Sequence, residues 1–143
     1  MEKKTYGVEE FLSRPQRLEE EIRGDLDHIA SLRSIVENRT THLSFTAGRN
    51  PTKNEKAFES VMIQIAEEEQ RLEEKQKHLV ELKLEVENFI SRLPKKEYRE
   101  ILRHKYVEGM EMATIRAAMH LAKTTCYDML ADALRSASQL YTI

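Results

Sequence analysis

Leu93-Pro94-Lys95-Lys96-Glu97-Tyr98-Arg99-Glu100-Ile101-Leu102-Arg103-His104-Lys105-Tyr106-Val107-Glu108-Gly109 is the stretch that decides the fold. Proline has no amide N–H and a φ fixed at about −65°, so Pro94 closes the helix before it and suits the start of the next. Gly109 supplies the residue that ends that helix. Between them Ile101 and Leu102 point inward, flanked by Tyr98 and Tyr106. Gly109-Met110 turns the chain, and Met112, Ile115, Ala118 and Met119 give a short second helix its apolar face. His120-Leu121-Ala122 is a tighter turn. A third helix, from about Lys123 to Leu140, buries Cys126, Met129 or Leu130, Ala133 or Leu134, and Ala137 at helical spacing. Residues 94–143 thus read as a three-helix, helix-turn-helix unit.

Upstream, the pattern is that of two long helices. Ser13-Arg14-Pro15-Gln16 carries the marks of a helix start, with a Ser cap, a first-turn proline and a Gln at the capping-box position. From there Leu18, Ile22, Leu26, Ile29, Leu32 and Val36 recur at spacings of three and four. Residues 38–54 break the stripe with Thr, Ser, Gly48, Asn50 and Pro51 and read as a polar loop, its first residues open to extending the helix. Thr52-Lys53-Asn54-Glu55 is a second capping box. In the helix after it, Phe58, Ile65, Leu72, Leu79, Val86 and Leu93 stand seven apart, with Val61, Leu82 and Phe89 at companion positions. A period of seven is the signature of helices wound about one another, here over roughly 50 Å. The expected fold is therefore all-α: a long antiparallel helical hairpin over residues 1–93, coiled-coil-like, followed by the three-helix unit. Glu68 and Lys75 fall where this seam should be apolar. They either reach out to water or, as polar seam residues can, pair across a dimer or fix register. The completeness of the seam also suggests a homodimer held through Ile65, Leu72, Leu79 and Val86.

Composition excludes several classes. Of the 143 residues, 34% are charged and 6% aromatic, with 4 Gly and no Trp, the profile of long helices. No apolar run approaches the roughly 20 residues that span a bilayer, and the first residues carry no signal-peptide pattern, so a cytoplasmic protein is expected. Cys126 has no partner for a disulfide or for a CxxC zinc motif, and His28, His42, His78, His104 and His120 show no pair at metal-ligand spacing. No Gly-rich phosphate loop or cleft-forming acid pair occurs. Neither catalysis nor a cofactor is expected.

Net charge is −2, unevenly divided. Residues 94–143 hold eight Lys or Arg against six Asp or Glu, a balance of +2, and the rest hold 15 against 19, a balance of −4. A mildly basic C-terminal unit is compatible with a polyanion, although it is a weak footprint for a DNA binder. The helix order is more telling. A recognition helix enters the major groove N-terminal end first, so residues of its first two turns reach base edges. Here those are Lys123, Thr124, Thr125, Tyr127 and Asp128. Lys123 suits guanine or a phosphate, the threonines suit backbone oxygens or a thymine methyl, and Tyr127 suits a sugar or base edge. Lys95, Lys96, Arg99 and Arg103 would form the shell that positions phosphates.

Ile101 to Gly109, followed by Ile115, Tyr127 and Ala133-Leu134, resembles the C-terminal promoter-reading region of sigma factors. It is more similar still to the small sigma-like transcriptional regulators of phages and prophages, the RinA and ArpU type. Arg17-Leu18, Ile22, the Leu32-Arg33 step, the polar loop and the acidic helix ending in Leu93-Pro94 extend the resemblance through most of the chain. What it implies is a DNA-binding regulator without a cofactor in a bacterial host cell, with double-stranded DNA as partner and the host RNA polymerase as a second candidate. The chain departs from that pattern in having Met112 for an aromatic residue, Arg116 for a small one, His120 for a glycine and Ala122 for a capping serine. The alternative expectation is a protein-interaction module in which the hairpin docks a host protein and the helix-turn-helix is a dimerisation or scaffold element.

Overall fold

A computed structural model describes residues 2–45 and 51–142. The chain is all-α, with helices α1 (Glu2–Phe45), α2 (Pro51–Ser91), α3 (Lys96–Leu102) running into a π turn (Arg103–Val107), α4 (Met112–Met119) and α5 (Lys123–Tyr141). No strand occurs among the described residues.

Three expectations change in the first half. Helix α1 does not begin at Ser13 but runs through it, with Pro15 inside the helix. An interior proline removes a hydrogen bond and costs about 3 kcal/mol, but Pro15 is fully buried, as are Val8 and Leu12 on the same face. The Ser13 hydroxyl donates to the Glu9 carbonyl at 2.6 Å instead of capping. The loop drawn over 38–54 is shorter: α1 reaches Phe45 and α2 starts at Pro51, where a proline suits the first turn, so the box at 52–55 lies within the helix. Residues 46–50 lie outside the described ones, as do the side chains of 51–54.

Packing also groups the chain differently from a division at Leu93 and Pro94. One compact unit joins Met1–Glu19 to Leu79–Ile143, and a second comprises Glu20–His78. In the second unit α1 and α2 run antiparallel, with Ile22, Ile29, Leu32, Ile65 and Leu72 buried between them. The polar seam residues pair across this hairpin: Lys75 Nζ donates to Asp25 at 2.8 Å, and His28 Nδ1 lies 2.9 Å from Glu68. Arg33 pairs with Glu69 one turn on. The hydrogen bond from Lys75 to Asp25 raises the lysine above its usual value. Register is thus fixed within one chain. Of the residues on which the expected homodimer would rest, Ile65, Leu72 and, in the first unit, Val86 are buried within one chain and Leu79 is half-buried.

In the first unit the beginning of α1 and the end of α2 form walls of the C-terminal core. Val8, Leu12, Val86, Ile90 and Leu93 cluster with Ile101, Leu102, Tyr106, Ile115, Cys126, Leu130 and Ala133. Phe11, Phe89 and Tyr141 tie α1, α2 and α5 together with ring centroids 5.2 to 6.0 Å apart. Lys83–Glu19 and Arg14–Glu85 pairs, at 2.6 and 3.1 Å, hold the two long helices antiparallel here as well. Gln16 Nε2 donates to the Lys105 carbonyl at 2.5 Å, satisfying a backbone acceptor within the π turn. Gly109 follows with φ of 70°, the left-handed C-terminal residue expected of it.

Tyr106 sits in the π turn and is buried, where the sequence reading left it flanking the core. Burial pushes its hydroxyl up to about 12, with the Glu9 charge adding to the shift. A tyrosine whose folded value is raised stabilises the fold fully below its unfolded value of 10.0 and loses that contribution as the pH climbs towards 12. Urea unfolding between pH 10 and pH 12 should therefore show stability falling with pH, and less steeply in Tyr106→Phe. Leu12→Ala should lower unfolding free energy by about 2–5 kcal/mol in the same assay, since it opens a cavity in the core that α3 to α5 share.

Candidate nucleic-acid interface

Helices α4 and α5 meet through the buried pair Ile115 and Cys126, each without exposed surface. Cys126 is the small core residue its spacing suggests. Leu130, Ala133, Leu134 and Ala137 continue the buried face of α5, and Met129 is half-buried, which resolves the alternatives open in the sequence. On α4 only Ile115 is fully buried: Met112 and Met119 are half-buried, and Ala118, expected inward, is exposed. An eight-residue helix has room for little more than one anchoring side chain on its core face.

The turn between them is tight. His120 adopts φ of 56° and ψ of 46°, a left-handed conformation, and the Leu121 amide donates to the Arg116 carbonyl at 3.0 Å. Ala122 is the N-cap of α5 in extended conformation and contributes no side-chain cap. The opening amides of a 19-residue helix are left for solvent or an anion. Arg116, on α4, has a buried Nε without a hydrogen-bond partner.

Five of the nine residues singled out for DNA fall together. Lys123, Thr124, Thr125, Tyr127 and Asp128 occupy the first two turns of α5 and all are exposed, Tyr127 by 48%. The positioning shell divides. Lys95 and Lys96 are exposed, with Lys95 Nζ 5.1 Å from the Tyr98 ring centre. The two arginines are drawn into the fold. Arg99 Nη1 donates to the carbonyls of Leu93 and Pro94 at 2.6 and 3.2 Å, satisfying orphan acceptors where α2 ends. Arg103 Nε donates to Glu87 at 2.5 Å, fastening α3 to α2. Their charges therefore serve the fold first, a role that a basic pattern read along the sequence does not distinguish from phosphate contact.

The sequence reading missed the share of residues 7–19 in supporting this site. The signal was present: Val8, Leu12 and Pro15 continue the stripe of Leu18 and Ile22 at spacings of three and four. The proline hid it. Among the described residues no group of His, Cys, Asp and Glu could hold a metal ion, and no helix is long and apolar enough to cross a membrane.

Residues 46–138 match a family described as protein of unknown function (DUF1492). The chain belongs to the DUF1492 family. The match takes in most of α2 to α5 and so includes the whole candidate interface, while the α1 residues that complete the core lie outside it. No curated protein and no solved structure matches the chain.

The turn and the cap of this DUF1492 chain are both below their optimum. His120→Gly relieves a left-handed non-glycine residue and Ala122→Ser supplies a cap, each worth about 1 kcal/mol. Both variants are expected to melt higher than the parent in thermal unfolding followed by circular dichroism, and the double variant higher than either.

Proposed function

We propose that the chain is a DNA-binding transcriptional regulator that reads operator or promoter DNA with the opening turns of α5. The observation that carries this reading is the exposure of Lys123, Thr124, Thr125 and Tyr127 on consecutive turns at the start of a helix set off by a tight left-handed turn. A helix presented this way fits the major groove, where side chains near its N-terminus address base edges and the surroundings hold phosphates. Lys123 donates to guanine or to a phosphate. Thr124 and Thr125 contact the backbone or a thymine methyl, and Tyr127 covers a sugar. Lys95 and Lys96 supply the remaining phosphate contacts. The resemblance to sigma-like regulators of phages and prophages supports the same assignment, and with it a bacterial setting.

A second reading has one observation in its favour. In the Glu20–His78 unit Ile35, Met62 and Ile63 are exposed large apolar residues, and a groove of about 260 Å³ runs between Arg33, Val36 and Met62. Such a surface suits a protein partner, RNA polymerase among them.

Salt separates the two. Selection of bound fragments from random duplex DNA should yield a motif whose affinity falls steeply with salt, as phosphate contacts require. Lys123→Ala should bind that motif more weakly, with a salt slope shallower by about one if the lysine contacts a phosphate, and with unchanged helicity. Equal binding by variant and parent would remove Lys123 from the reader, and failure of the parent to select any DNA would remove the reading itself.

A further inference from the structure

Two acids stand on the outward part of α5, and their surroundings differ. Asp132 is paired with Arg135 at 3.0 Å. Asp128 is exposed and has no hydrogen bond or ion pair among the described residues. It lies four residues after Thr124 and three after Thr125, hence on the face those residues share. An unpaired carboxylate in the centre of a face turned towards a polyanion is the least expected group there, because every phosphate opposes it.

We propose that Asp128 sets the base preference of this face by requiring cytosine. The inference rests on the DNA-reading function above. An ionised carboxylate only accepts hydrogen bonds. In the major groove guanine offers two acceptors, N7 and O6, and thymine offers the O4 acceptor and a methyl group. Both repel or fail to satisfy a carboxylate that has given up water to enter the groove. Adenine offers its N6 amino group with the N7 acceptor beside it, so one carboxylate oxygen is satisfied and the other opposed. Cytosine offers the N4 amino group alone. The carboxylate therefore acts chiefly by rejection: it contributes little affinity at the right base and removes the wrong ones. The guanine paired with that cytosine presents N7 and O6 to the same groove, within the chemistry that Lys123 takes. A base contact of this kind discriminates by roughly tenfold to a hundredfold.

The test compares full-length parent, Asp128→Ala and Asp128→Asn by selection from random duplex DNA, followed by affinity measurements on the parent motif and on its single-base variants. Asp128 is exposed, so all three are expected to fold, and circular dichroism checks it. The parent motif should hold one position confined to cytosine. Asp128→Ala should flatten that position alone and bind unrelated DNA more tightly than the parent, an effect that a merely structural residue would not produce. Asp128→Asn, with both a donor and an acceptor, should move the position towards adenine. An unchanged motif in Asp128→Ala would overturn the proposal while leaving DNA reading in place. A parent that selects no sequence would overturn both, and the two failures are told apart by whether the parent yields a motif at all.

Discussion

Burial of Val8 and Leu12 against the core of α3 to α5 is the constraint on which the rest of the first unit depends. Three short helices with one small buried cysteine between two of them enclose little apolar volume by themselves. Small domains are marginal because too much of their surface stays wet. The opening turns of α1 and the closing turns of α2 add Val86, Phe89, Ile90 and Leu93 to that core and turn a thin cluster into a closed one. Fully buried Pro15 belongs to the same contact: a helix that spends about 3 kcal/mol on an interior proline needs a compensating interface, and this one has it.

Polar groups then fix the geometry that the apolar contact allows. Gln16 satisfies the Lys105 carbonyl, Arg99 the carbonyls of Leu93 and Pro94, and Arg103 the carboxylate of Glu87. Each bond joins elements separated by a break in regular helix, where unpaired backbone groups are concentrated. The outcome for the candidate interface is a division of labour. Arg99 and Arg103, near such breaks, hold the scaffold, and Lys95, Lys96 and Lys123 are exposed. A reading helix benefits from this arrangement, because side chains address a groove accurately only when the helix carrying them does not shift.

Much of this was legible in the sequence. The seven-residue period from Phe58 to Leu93, the junction at Pro94, the stop at Gly109 and the tight turn after α4 all follow from local rules of spacing and backbone freedom, and the structure has each of them. The candidate face was legible for the same reason: exposure of Lys123 to Asp128 follows once Cys126 and Leu130 are taken as core. What was not legible has a common cause. Ser13-Pro15 obeys the local rule for a helix start, and only contacts with residues about ninety positions away, such as Gln16 with Lys105, override it. The π turn at Arg103–Val107 leaves no mark in the spacing of Ile101, Leu102 and Tyr106, all three of which are buried, since positions four and five apart share a face whether the turn is α or π. The apolar seam gave both the buried face of α2 and its antiparallel pairing with α1, because the two stripes stand at matching helical spacings in one chain.

The bond from Gln16 to Lys105 closes a span of 89 residues. Contacts of such separation are slow to form, since the chain entropy lost in closing the span precedes the reward. During synthesis the first turns of α1 leave the ribosome long before Ile101, Ile115 and Leu130 exist to cover them. The core therefore closes only once α3 to α5 have been made, and until then Val8 and Leu12 lack the cover of those helices and present apolar surface of the kind that chaperones shield.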